Sequence, residues 1–169
     1  MSYPRVTLGG VPIVLHAGAP VQNYETLGGV SLPRLHGGAA VKLTHWRRTR
    51  ISISASGWMN PGLDGLDYDS ALELRCTKQQ AVTSTSASIP LTGTPRPDVA
   101  PWGQALVGDQ WLPTPCVVDG GVATLTAVAG ATLYQACWMP VFQVFAEPPS
   151  KSLDPGTGEH SWSLVAEEV

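Results

Sequence analysis

Polar and apolar residues alternate strictly through Thr44–Ser56. Arg48, Arg50, Ser52, Ser54 and Ser56 fall on one side, and Arg47, Thr49, Ile51, Ile53 and Ala55 on the other. A period of two marks a strand with one face buried and one in solvent. Ala71–Cys76 repeats the pattern, with Leu72, Leu74 and Cys76 opposed to Glu73 and Arg75. Elsewhere, short β-branched runs are separated by glycine and proline at intervals of about nine residues, the spacing of β-meanders. Val6–Leu15 reads as two short strands around Gly9-Gly10. Val21–Leu27, Val30–Leu35 and Ala39–Leu43 read as three more, punctuated by Gly28-Gly29 and Gly37-Gly38. Ser84–Ile89 is a further strand. Gly108-Asp109 and Asp119-Gly120-Gly121 read as hairpin turns. Ala131–Trp138, Val141–Ala146 and Ser161–Ala166 complete the series, with a long loop over Glu147–His160. No window carries a stripe of 3.6-residue period. The pattern predicts an all-β chain, a β-sandwich or barrel with long Pro/Gly-rich loops and little helix.

Length and composition sharpen this picture. A chain of 169 residues suits a single domain, 1–169, with extended loops or arms at about 57–70, 90–104 and 147–160. Gly (18) and Pro (15) are abundant, and charged residues are only 14% against roughly 25% in an ordinary soluble domain. That combination disfavours a helical bundle, which needs unbroken runs and charged outer faces. It fits a turn-rich protein whose surface meets other protein.

The net charge of −3 conceals an asymmetry. Residues 1–63 carry six basic side chains against Glu25 alone, whereas 64–169 carry four against twelve acids. One positive part and one negative part allow copies to dock head to tail. Cys76, Cys116 and Cys137 form no CxxC pair and read as free thiols of a chain made in a reducing cytoplasm. No signal peptide is expected from the opening residues. The uncharged stretch Gly120–Ala146 is long enough for a bilayer, but Thr124, Thr126, Thr132, Gln135 and Gln143 interrupt it, so it reads as successive strands.

Catalytic and metal motifs are missing. Asp64, Asp67 and Asp69 have the wrong spacing for an EF-hand loop and read as turn or arginine partners. His16, His36, His45 and His160 have no zinc-type spacing with the cysteines. GxSxG, HExxH, P-loop and GxGxxG patterns do not occur, so neither an enzyme nor a cofactor is expected. The strongest feature is His45-Trp46-Arg47-Arg48-Thr49-Arg50. Arginine beside tryptophan suits a protein interface, and the negative net charge disfavours a nucleic-acid platform. Trp58 and Trp102, in or beside Pro/Gly loops, are anchors for a partner or stacking surfaces for a sugar.

Several segments together carry a resemblance. They include His16–Tyr24, the stretch from Lys42 through Trp58 to Cys76, Pro95–Asp98, Gly130–Tyr134, Trp138–Phe142 and Trp162–Glu168. In these the chain resembles small tail proteins of long-tailed, siphovirus-type bacteriophages of Pseudomonas-like hosts. The resemblance implies a non-enzymatic virion component, synthesised in the host cytoplasm and built into the tail tip or baseplate in multiple copies. Its partners would be other tail proteins and copies of itself, with no nucleic acid, no membrane span and no cofactor or metal. Candidate interface residues are Arg47, Arg48, Arg50, Trp58 and Trp102. A carbohydrate- or receptor-binding module at the tail tip, meeting a host-surface glycan, is the alternative. A head–tail joining or capsid-decorating protein is a third.

Overall fold

Fifteen strands and one 3-10 turn (Leu15–Ala17) account for the regular structure of residues 3–169, which are those described by the computed structural model. In chain order the strands are β1 (Thr7–Leu8), β2 (Val11–Pro12), β3 (Val21–Ser31), β4 (Leu43–Gly57) and β5 (Leu72–Arg75). Then come β6 (Gln80–Ser84), β7 (Ser88–Pro90), β8 (Trp102–Val107), β9 (Gln110–Thr114) and β10 (Cys116–Asp119). The last are β11 (Val122–Leu125), β12 (Ala131–Trp138), β13 (Val141–Ala146), β14 (Ser150–Asp154) and β15 (Glu159–Glu168). The fold is all-β, with several sheets, and among the described residues no sheet closes into a barrel.

The chain divides into two compact units. One holds the segment ending at Pro12 together with Glu73–Phe142; the other holds Ile13–Leu72 and Gln143–Val169.

In the first unit, β6, β12, β8 and β9 form one antiparallel sheet and β10, β11 and β7 a second. They share a core of Ile89, Ala105, Ala123, Leu125, Tyr134 and Ala136. The predicted hairpin turns fall where expected, between β8 and β9 and between β10 and β11. One strand over Ser84–Ile89 is not found. The segment Ser84–Ser86 instead turns on its own hydroxyls, Ser86 N–H donating to Ser84 Oγ and Ser88 N–H to Ser86 Oγ, and this separates β6 from β7.

The proline-rich connection between β7 and β8 is held by Arg96, which is 2% exposed. Its Nε and Nη2 donate to the two carboxylate oxygens of Asp98 at 2.8 and 2.7 Å. Nη1 donates to the carbonyls of Arg5 and Cys76 at 2.9 and 3.1 Å. The Arg96 hydrogen bond holds the Asp98 carboxyl below its ordinary pKa, helped by the positive charges of Arg96 and Arg75.

In the second unit, β15 pairs along one edge with β4, and β4 with β3. The other edge of β15 takes β14 over its first half and β13 over its last residues. The long loop expected over 147–160 therefore contains a strand, and the turn proper is only 155–158. Pro148-Pro149 obscured this in the sequence: lacking N–H groups, they break the ladder between β13 and β14. The pairing shifts by one residue across this break, from Ala146 opposite Ala166 to Ser150 opposite Ser163.

The alternation in β4 is met. Ile51 and Ile53 are buried with Trp162, Leu164 and Ala166 of β15. The opposite face is a hydroxyl surface of two rows across three strands: Ser54 opposite Ser163 and Ser163 opposite Ser150, then Ser56 opposite Ser161 and Ser161 opposite Ser152.

Candidate protein interface

β3 and β4 form one long hairpin, paired from Val21–Ser54 to Ser31–Leu43. The sequence reading places a break between strands at Gly28-Gly29, but β3 continues through it from Val21 to Ser31. A Cβ on Gly29 would come within 2.9 Å of Trp46 Nε1, so the glycine makes room for the cross-strand indole. The pairing shifts by one residue just beyond, between Gly29 and Val30. The tip, from Leu32 to Lys42, is closed by an Arg34–Ala40 bridge and by Arg34 Nη1 donating to the Gly38 carbonyl at 3.0 Å.

The root of this hairpin is covered and its outer part is not. Glu168 caps the boundary by accepting from Thr49 N–H at 2.9 Å. Beyond it β4 pairs with β3 alone. Val30, Leu32, Leu35, Leu43 and Trp46 are exposed apolar side chains on this arm. Arg34, Lys42, Arg47 and Arg48 are exposed cations there, and no acid occurs between Glu25 and Asp64. Two strands alone cannot bury a face, so sequence that alternates for burial finds no core here.

The three candidate arginines do not share one face. Arg48 and Arg50 lie on the serine side of β4, and Arg47 lies on the side of Ile51 and Ile53, past the end of the buried region. Arg50 stands between two acids of its own sheet. Glu25 is its partner on β3 and Glu167 its partner on β15, with Arg50 Nε 3.7 Å from Glu167 Oε1. Arg50 thus belongs to the root of the arm, and Arg47 and Arg48 to its projecting part.

Trp58 and Trp102 fall in different units. Trp58 follows β4, is 67% exposed, and meets His16 edge to face with centroids 5.1 Å apart. Behind it the chain is tightly clamped. Trp162 Nε1 donates to the Ala17 carbonyl at 2.8 Å, and Met59 N–H to that of His16 at 3.1 Å. Gly18 and Gly57 let the 3-10 turn and the end of β4 touch backbone to backbone, where a Cβ on either would overlap main-chain atoms. Trp102 opens β8, is half-buried, and pairs with Cys137.

The end of β4 away from the arm is acidic. Its following loop carries Asp64, Asp67 and Asp69, and the β14–β15 turn carries Asp154 and Glu159. Lys151 on β14 is ion-paired with Asp64, which places the loop beside β14. Asp67 accepts from Ser70 Oγ and from Asp69 N–H, so it also organises its own loop. The sequence drew attention to the arginines and to Asp64–Asp69 separately. It missed that the two lie at opposite ends of one strand, because Asp154 and Glu159 join the acidic set only through the β14–β15 pairing.

Among the described residues no group of three or more His, Cys, Asp or Glu is arranged to hold a metal ion, and no helix is long and apolar enough to cross a membrane. A cleft of about 470 Å³ in the first unit is lined by Pro4, Arg5, Arg96 and Asp98, and the Arg96 guanidinium there is already engaged. The thiols of Cys116 and Cys137 are pushed up by burial, which leaves them poor nucleophiles. No protein-family model matches this chain, and no curated protein sequence matches it significantly.

Proposed function

We propose that this chain is a non-enzymatic structural subunit of a phage tail, at the tail tip or baseplate, that works by contacts with copies of itself and with other tail proteins. The observation that carries this reading is the β3–β4 arm. Exposed apolar side chains beside cations with no acid among them, on a two-stranded ribbon, are costly for a free protein and useful for one that assembles. The low overall charge and the resemblance to siphovirus tail proteins support it from the sequence. In this reading the two sheets of the first unit form a small β-sandwich that serves as the rigid base. The direct experiment is the protein composition of gradient-purified phage particles, with gold-labelled antibody against the chain. Label on the tail is expected; absence of the chain from intact particles overturns the reading.

A second reading rests on Trp58, whose exposed indole is held by His16 and suits stacking on a sugar ring. In that case the chain is a carbohydrate- or receptor-binding module at the tail tip. It predicts glycan-array signal lost in Trp58→Ala; an array without signal removes it.

A further inference from the structure

We infer that the β3–β4 arm docks on the acidic end of the second unit in another copy of this chain, joining copies head to tail along the direction of β4. The inference rests on the reading of the chain as an assembling subunit and names the surfaces and the partner.

The first argument is charge placed by topology. β4 carries Arg47 and Arg48 near its start, and its end leads into the loop of Asp64, Asp67 and Asp69. Between Arg48 and Gly57 the strand is continuously paired. Nine residues of strand span about 30 Å. The screening length in physiological salt is only about 8 Å. The two charge sets therefore do not neutralise each other within one molecule. The arm has four cations, Arg34, Lys42, Arg47 and Arg48, and no acid. The opposite end has five carboxylates against Lys151. Opposite signs at opposite ends favour contacts between an arm and an acidic end over contacts between like ends.

The second argument is apolar surface at both ends. The arm exposes Leu32, Leu35 and Trp46. The acidic end exposes Leu15, Trp58 and Met59, held rigid by the clamp of the 3-10 turn on the end of β4. Charge alone steers encounter; buried aromatic and aliphatic side chains hold the complex. Each end carries the charge that the other lacks. A head-to-tail contact leaves a free arm and a free acidic end, so association along β4 continues into a ring or a filament.

The test uses the full chain and two double variants. Arg47→Glu with Arg48→Glu cancels the positive charge of the arm. Asp69→Lys with Glu159→Lys cancels the negative charge of the other end. Wild type is expected to sediment as an oligomer at low salt and to shift toward monomer when salt is raised about tenfold. Each variant alone is expected to stay monomeric with an unchanged circular dichroism spectrum. Mixed in equal amounts, they are expected to pair again, since the unaltered arm of the second variant meets the unaltered acidic end of the first. Recovery on mixing is an outcome that two misfolded proteins do not give. A wild type that is monomeric at low salt, or variants that stay apart when mixed, overturns the inference. The tail reading fails separately, by absence of the chain from particles, whatever the purified chain does.

Discussion

Arg96 and Arg50 illustrate how differently one residue type works in two settings. Arg96 is buried and spends its donors on Asp98 and two carbonyls. Replacing it by Met keeps some volume but strands those acceptors, so Arg96→Met should lower unfolding free energy by about 3 kcal/mol in a denaturant titration. Arg50, paired with Glu167 in solvent, should change stability by less than about 1 kcal/mol as Arg50→Ala. The Asp98 carboxyl has a lowered pKa when folded, so its contribution is present above the unfolded value and fades as pH falls through the folded one. The stability difference between wild type and Asp98→Asn is therefore expected to be full above about pH 4 and to shrink in more acid solution, read from urea midpoints across that range. In the sequence Arg96 was one residue of a proline-rich loop. Its role was not legible there because its partners, at positions 5, 76 and 98, are assembled only by the fold.

At the scale of elements, glycine decides where β4 can go. Gly57 and Gly18 permit backbone contact that no side chain allows, and Gly18 also has φ +95°. Gly18→Ala is expected to cost more than about 2 kcal/mol in the same titration, since left-handed strain alone accounts for 1–2. Strands with a buried face, such as Thr44–Ser56 and Ala71–Cys76, were legible because burial imposes a period of two. Turns set by Gly108-Asp109 and Asp119-Gly120-Gly121 were legible from turn chemistry. Gly28-Gly29 misled because the same dipeptide that suits a turn also suits a strand passing under Trp46. β14 was hidden because all five of its residues are exposed and prolines precede it, leaving no alternation to read. The candidate site was legible as residue types at 47 and 48. Its acidic counterpart was not, since it depends on strand pairing far along the chain.

For the whole molecule, the arm is also the place most open to attack. Limited trypsin treatment is expected to cut first at Arg34, Lys42, Arg47 or Arg48, leaving Arg75, ion-paired with Glu73 and Asp98, intact, as peptide mass mapping will read. First cuts within the two cores would contradict the exposure of the arm. If copies dock as inferred, assembly should slow those cuts, and high salt should restore them. The same separation has an evolutionary meaning. Outside its root, the hairpin contributes little to either core, so its residues can change without renegotiating stability. A lineage can rewrite this ribbon and keep the scaffold, and related chains would then diverge fastest in the segment that chooses their neighbours.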